Sequence, residues 1–272
     1  MTIPEKWLLC YSFPMFTKGQ ASAIKSLQDK KYRQKTGLFL VEGEKSVVET
    51  LNSDFEIKTI LATKEFYKKY QELINNKKKE RQIVCEIVES GEINNVSSLE
   101  NNDSVLAIVK QKDFSKINTE DNSDIKDGEI ILALDNIRDP GNFGTIIRIA
   151  DWYGIKNIMA SVGTVDFYNP KVISATKGSF TRVNVTYTNL INYLEETKSP
   201  ILGAFMQGEN IHKFSFPKNG ILVMGNESNG ISPEIGKIIK QKITIPTFGQ
   251  AESLNVAIAT AVILDNWKRN LN

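Results

Sequence analysis

Apolar runs of strand length alternate with helical runs throughout the second half of the chain, and this alternation restricts the fold more than any other feature. Strand-like runs are predicted at residues 130–134, 157–161, 183–187, 201–205, 221–225 and 243–246, with helical periodicity between most of them. Repeated strand–helix units form parallel strands and place their helices on both faces of the sheet. The sequence therefore predicts an α/β fold with a mostly parallel sheet.

The first of these units, ILALDNIRDPGNFGTIIRIADWYG at residues 131–154, is rich in polar side chains just after its strand. Pro140 and Gly141 predict that its helix begins only at Asn142. Open α/β sheets bind ligands at the carboxyl ends of their strands. The polar residues predicted near this end are Asn136, Asp139, Asn142 and Arg148. Considered one at a time, these residues could equally be a helix N-cap and an arginine on the surface.

The composition is that of a soluble globular protein, with 41% hydrophobic and 24% charged residues in a chain of 272. No apolar run is long enough to span a membrane. The N-terminal sequence MTIPEKWLLCYSF lacks the basic start and the cleavage site of a signal peptide. We therefore expect a cytoplasmic protein with no membrane partner.

Cysteine and histidine are too few for the common metal and nucleophile sites. Cys10 and Cys85 form no CxxC pair, and His212 is the only histidine. A structural zinc site needs more such ligands, and a catalytic triad would need His212 beside a nucleophile elbow that the sequence lacks. We expect neither a metal nor a catalytic histidine.

Basic residues concentrate at the N-terminus, although the formal net charge is only +2. Residues 1–35 hold seven lysines and arginines against two acidic residues. Helical periodicity over residues 18–34 leaves four basic residues off the apolar stripe, and an RNA backbone would suit them. A solvated helix face would look the same. These candidate RNA contacts are Lys25, Lys30, Lys31 and Arg33.

Strands and helices also alternate within residues 1–112, which have the size of an ordinary domain. The segment KDFSKINTEDNSDIKDG then turns strongly polar, and we interpret residues 113–128 as an exposed linker. A second domain is predicted over residues 129–272.

Four segments carry a family resemblance. NIRDPGNFGTIIR (136–148), ILVMGNESNGIS (221–232) and IPTFGQAESLNVAIATAVIL (245–264) resemble, in order, the three motifs of the SpoU (TrmH-type) RNA 2′-O-ribose methyltransferases, a branch of the SPOUT superfamily. FLVEGEKSVVETL (39–51) is similar to the substrate-binding domain that precedes the catalytic domain in many of these enzymes and is related to ribosomal protein L30e.

The resemblance implies an enzyme that binds S-adenosylmethionine, works as a homodimer and threads its C-terminal segment into a trefoil knot. It also implies catalytic roles for Asn142, Arg148, Glu227, Ser253 and Asn255. The matching cofactor-binding positions are Gly225, Ile245, Gly249 and Leu254.

Most of these residues also have a simpler interpretation. Glu227 is either the partner of a guanidinium or a carboxylate at a helix start. Ser253 would serve as the N-cap of the last helix, with Asn255 in its first turn. The middle segment SATKGSF departs from the family pattern, and Thr176 or Ser179 would have to supply its usual hydroxyl.

Arg148 is the expected catalytic arginine. Because a guanidinium gives up its proton only with difficulty, we expect Arg148 to orient the ribose hydroxyl and a phosphate rather than to act as an unaided base. GNESNG is not a phosphate loop, since the chain has neither a GxxxxGK[ST] nor a GxGxxG string.

The function indicated is methyl transfer from S-adenosylmethionine to a ribose 2′-hydroxyl. The separate N-terminal domain favours a large folded target such as 23S rRNA over tRNA. The alternatives are a tRNA 2′-O-methyltransferase and a non-catalytic RNA-binding or ribosome-assembly protein with the same fold. A pure binder would not need all five of the catalytic positions.

Overall fold

The computed structural model describes residues 17–80, 82–99, 101–114 and 125–271. Its contacts divide the chain into two compact units. The first comprises residues 1–112 together with 166–181, and the second comprises residues 113–165 together with 182–272. Most of the predicted linker, residues 115–124, lies outside the described part.

The described residues of the first half of the chain form five helices and four strands. In order these are α1 (Lys18–Ser26), α2 (Lys30–Thr36), β1 (Leu38–Glu42), α3 (Glu44–Leu51), β2 (Ile57–Ala62), α4 (Lys64–Glu80), β3 (Val84–Ile87), α5 (Ser90–Val96) and β4 (Val105–Lys110).

The second half continues with β5 (Ile130–Leu134), α6 (Pro140–Trp152), β6 (Asn157–Ser161), α7 (Pro170–Thr176), β7 (Asn184–Thr188), α8 (Leu190–Glu196), β8 (Ile201–Asn210), β9 (Gly220–Met224), α9 (Pro233–Ile238), β10 (Gln241–Thr244) and α10 (Val256–Arg269). A short 3-10 turn, Ser179–Thr181, follows α7.

A four-stranded mixed sheet, in the order β1-β4-β2-β3, forms the centre of the first unit. Only β2 and β3 pair in parallel. Alternate side chains of β1 face opposite ways: Leu38 and Leu40 join a core with α1 and α5, whereas Phe39 meets Phe55 and Phe180. The helices α3 and α4 cover this second face.

The second unit is built on six strands in the order β10-β8-β9-β5-β6-β7, all parallel to their neighbours. One face packs against α8 and α9, and α6 packs with α10. The predicted α/β class with a parallel sheet is confirmed. The knot stays a prediction.

The chain order of the strands reverses between β5 and β9. From β5 the chain runs outward through β6 to β7, and it then crosses to β8 on the far side before adding β9 next to β5. Such a switch point leaves a crevice between the loops that follow the two central strands. The polar segments after β5 and β9 are therefore brought together by topology.

Three predicted helix boundaries were wrong, because each helix begins at a residue that favours a helix start and that apolar periodicity does not reveal. The helix expected over 18–34 is two helices, since Asp29 caps α2 through the N–H groups of Lys31 and Tyr32. The first-motif helix begins at Pro140, not Asn142, because proline suits the first helical position. The last helix is capped by Asn255 rather than Ser253.

Candidate functional site

Asp135 fixes the end of the central strand β5. Its carboxylate is buried and accepts the main-chain N–H of Ser232 at 2.8 Å and the amide of Asn136 at 2.9 Å. Ser232 is the residue before α9, so this carboxylate joins the end of β5 to the start of that helix. An acidic group suits a helix start, where unpaired N–H groups carry partial positive charge.

Asn136 takes a left-handed backbone conformation, with φ of 56°. Asparagine tolerates this conformation better than most residues because its short amide bonds locally. The turn is closely packed, since a Cβ on Gly163 would lie 1.9 Å from Oδ1 of Asn136. Only glycine fits at position 163 without moving this amide.

The first turn of α6 presents Asn142. Asp139 is the N-cap, and its side chain accepts the N–H of Asn142 at 2.7 Å. The cap leaves the Asn142 side chain free to reach other segments.

Asn142 connects two of the other predicted catalytic residues. Its Nδ2 donates to Oε1 of Glu227 at 3.0 Å, and its Oδ1 accepts from Nδ2 of Asn255 at 2.8 Å. Glu227 follows β9, and Asn255 caps α10. The structure therefore joins three of the five predicted catalytic residues in one hydrogen-bonded row, which we call the Glu227–Asn142–Asn255 row.

The row fixes the direction of each amide. A carboxylate only accepts hydrogen bonds, so Nδ2 of Asn142 must face Glu227 and its Oδ1 must face Asn255. Glu227 therefore contacts an amide rather than the guanidinium that the sequence suggested.

Asn226 shapes the loop after β9, although no motif in the sequence singles it out. Its Nδ2 donates to the main-chain oxygen of Asn136 at 2.7 Å, and its Oδ1 accepts the N–H groups of Ser228 and Asn229. An asparagine followed by polar residues and glycine, as in NESNG, is a typical signal for such a turn. Asn226 thus holds the two central loops together.

The loop between β10 and α10 holds most of the predicted cofactor positions. Ile245 is half-buried, and Gly249 and Leu254 are exposed. Among the described residues, no main-chain N–H between Ile245 and Leu254 donates to a main-chain carbonyl. These groups are available to a ligand. Gly225 has a packing role, because a Cβ there would lie 2.2 Å from the main chain of Gly230 and Ile231.

Arg148 and Ser253 are not part of the row. Both are exposed, and neither side chain forms a hydrogen bond or ion pair with any residue that the structure describes. Arg148 lies six residues after Asn142, which places it about 9 Å farther along α6 and about 120° around the helix. No side-chain hydrogen bond or ion pair of the described residues joins Arg148 to Asn136, Asp139 or Asn142, so their gathering at the strand end stays a prediction.

The candidate RNA contacts divide into two groups. Lys25, Lys30 and Lys31 are exposed, and Lys25 also donates to Oδ1 of Asn95 at 3.0 Å. Arg33 is only 2% exposed and forms an ion pair with Asp166 at 2.5 Å. The prediction that Arg33 lies on a solvated helix face was wrong. Helical periodicity could not reveal that its partner is Asp166, which lies 133 residues away in the chain.

The remaining candidates have structural surroundings. Thr176 and Ser179 are buried in the first unit, where the Thr176 hydroxyl donates to the carbonyl of Ile173. His212 is exposed, and its Nδ1 lies 3.3 Å from Oδ1 of Asn266. The described residues contain no cluster of three potential metal ligands. No helix among them is long and apolar enough to cross a membrane.

A polar row at the switch point of a parallel α/β sheet is typical of a ligand-binding protein. Comparison with known sequences shows the family to which this protein belongs. Residues 129–265 match the SpoU rRNA Methylase family, and residues 20–107 match the MRM3-like substrate binding domain. The 23S rRNA (guanosine(2553)-2′-O)-methyltransferase RlmP of Bacillus subtilis is 31% identical over 244 residues, which cover 88% of this chain and 92% of RlmP.

Two other proteins extend the comparison. The AdoMet-bound rRNA methyltransferase from Sinorhizobium meliloti is 29% identical, with a TM-score of 0.82 over 96% of this chain and 98% of that one. The tRNA (guanosine(18)-2′-O)-methyltransferase of Aquifex aeolicus is 32% identical over 153 residues, 52% of this chain and 69% of its own.

The chain belongs to the SpoU rRNA Methylase family. The family and the class of enzyme predicted from the sequence, an RNA methyltransferase, are confirmed.

Proposed function

We propose that the protein methylates a ribose 2′-hydroxyl of 23S rRNA with S-adenosylmethionine as the methyl donor. The observation that carries this proposal is the Glu227–Asn142–Asn255 row at the carboxyl ends of a parallel sheet. RlmP, which aligns along most of both chains, is named for the same reaction on 23S rRNA. The tRNA enzyme aligns over only about half of this chain.

The loops beside the row fit S-adenosylmethionine. Main-chain N–H groups between Ile245 and Leu254, which bond to no main-chain carbonyl of the described residues, can bind an adenine, and the half-buried Ile245 and exposed Leu254 offer apolar contact. The S. meliloti relative was solved with this cofactor bound. The cofactor supplies an electrophilic methyl group on a positively charged sulfur.

The protein's own part in the reaction is mainly positioning. The ribose oxygen must approach the methyl carbon opposite the sulfur, and correct alignment can supply about 7 to 11 kcal/mol of the barrier. Asn142 is held from both sides and provides a rigid amide for the ribose. The Arg148 guanidinium donates hydrogen bonds to the hydroxyl and to a neighbouring phosphate.

The position of Arg148 supports a homodimer. Because it lies on α6 away from Asn142, it completes the site of the other subunit better than its own. The same region exposes apolar surface: Trp152 at the end of α6 is 84% exposed and Ile258 on α10 is 53% exposed. The two helices pack together, and each offers exposed apolar area suited to self-association.

This proposal is tested by mapping 2′-O-methyl groups in total RNA from cells with and without the gene. Loss of one ribose methyl in 23S rRNA is the expected result, and the protein would act in the cytoplasm. Loss of a tRNA methyl would name the alternative target. If no methyl were lost and calorimetry showed no binding of S-adenosylmethionine, the protein would be a non-catalytic RNA-binding protein.

A further inference from the structure

Helix α4 presents the densest cluster of lysines in the described part of the first unit. Its 17 residues hold six lysines and three glutamates. Two lysines are neutralised locally, Lys69 by Glu44 at 2.8 Å and Lys77 by Glu80 at 3.1 Å. The side chains of three others are exposed and form no hydrogen bond or ion pair with a described residue. These are Lys64, Lys68 and Lys79, which we call the α4 lysine face.

One side of α4 is buried against the first unit, and these three lysines are exposed to solvent. The helix is kinked at Tyr70, and the buried Phe66 and Ile74 anchor the halves before and after the kink to the first unit. Lys64 and Lys68 are four residues apart and therefore share one side of the first half. Three unpaired ammonium groups on an anchored helix form a fixed positive surface rather than a loose tail.

The chemistry of this face fits a polyanion better than a folded protein. No large apolar side chain of α4 is exposed, so a protein partner would find little apolar area to bury. A nucleic-acid backbone needs none, because lysines bind phosphates by charge and release counterions. We propose that the α4 lysine face binds phosphates of the RNA substrate, an inference that rests on the proposed function.

This contact would be separate from the one predicted on the N-terminal helices. Lys25 lies on α1, which packs with α5 on one face of the four-stranded sheet. The helix α4 covers the other face together with α3. One straight stretch of backbone cannot meet both surfaces, so a folded RNA would have to bend around the first unit.

The test is the salt dependence of binding to an in vitro transcript of 23S rRNA, measured with the full-length protein. The triple variant Lys64→Gln, Lys68→Gln and Lys79→Gln keeps helix propensity nearly unchanged. Each lost phosphate contact lowers the slope of log affinity against log salt by roughly 0.7 to 0.9. Raising salt from about 50 to about 200 mM should therefore weaken the wild type roughly 20- to 40-fold more than the variant.

A variant of opposite sign on the same helix provides the matched control. Glu72 is an exposed acidic residue of the same helix, and Glu72→Gln, which removes its negative charge, should strengthen binding roughly 1.5- to 2-fold at low salt. If the triple variant weakened binding only because it folded poorly, there would be no reason for Glu72→Gln to bind RNA more strongly. Binding of S-adenosylmethionine should stay unchanged in both variants.

Three outcomes decide the inference. A reduced slope in the triple variant together with the gain in Glu72→Gln supports it. If the wild type binds and methylates the transcript while the triple variant keeps the full slope, the α4 contact is refuted and the proposed function stands. If the wild type neither binds nor methylates any rRNA or tRNA transcript, both are refuted.

Discussion

Exchanging Asn142 for aspartate tests the Glu227–Asn142–Asn255 row with the smallest possible change of shape. Aspartate keeps the oxygen that accepts from Asn255 but replaces the amide that donates to Glu227 at 3.0 Å. The substitution removes one hydrogen bond to a carboxylate and places two negative charges side by side. The other bond in the row is retained.

The expected loss follows from these two changes. A hydrogen bond to a charged group contributes about 1.5 kcal/mol at the low end of its range, which suits an exposed carboxylate. Two like charges 3 Å apart repel by about 1.4 kcal/mol in water. Because the side chains can move apart, we expect about 1 to 3 kcal/mol in total, which is a roughly 5- to 150-fold slower methyl transfer.

The assay is single-turnover methyl transfer from labelled S-adenosylmethionine to unmodified 23S rRNA, with thermal melting to confirm that each variant folds. In the double variant Asn142→Asp, Glu227→Gln, the new amide at 227 can donate to the new carboxylate at 142. We therefore expect the double variant to recover most of the lost rate. A double variant as slow as Asn142→Asp would refute the idea that this hydrogen bond positions the reacting groups.

Three further predictions concern other parts of the chain. Arg33→Ala should lower the free energy of unfolding by about 3 to 5 kcal/mol in denaturant titrations, because it leaves the Asp166 carboxylate without its buried partner; a loss below 1 kcal/mol would contradict the buried ion pair. Gly163→Ala should cost about 1 to 3 kcal/mol by the same measurement, because the new methyl group collides with Asn136; unchanged stability would contradict that packing. Burial raises the pKa of the Cys85 thiol, so in a Cys10→Ser background it should react slowly with thiol reagents at pH 8 and rapidly after unfolding; equal rates would contradict its burial.

Most helices and strands could be predicted from local sequence patterns, because each depends mainly on residues that are close together in the chain. The runs predicted at residues 130–134, 157–161 and 221–225 became strands within one residue of the predicted ends. Apolar residues in such runs have no alternative to burial in a sheet. The helix expected over 18–34 failed where a polar cap, Asp29, outweighed continuous periodicity, and the strand expected over 201–205 extends further, as β8 (Ile201–Asn210).

Long-range partners could not be predicted from local patterns. Nothing near Glu227 indicates that Asn142, 85 residues earlier, is its partner, or that Asp166 buries Arg33. The motifs identified the residues of the site, but only the folded chain shows which of them touch. Arg148 illustrates the difference, since its motif marks it as catalytic while its position on α6 separates it from Asn142.

The most direct test of the account is the chemical identity of the product. The protein is incubated with methyl-labelled S-adenosylmethionine and unmodified 23S rRNA, and the RNA is hydrolysed in alkali. A ribose 2′-O-methyl group blocks cleavage at its own nucleotide, so the account predicts label in a single alkali-resistant dinucleotide and its loss in Arg148→Ala. Label on a base, or equal labelling by Arg148→Ala in single-turnover reactions, would contradict it.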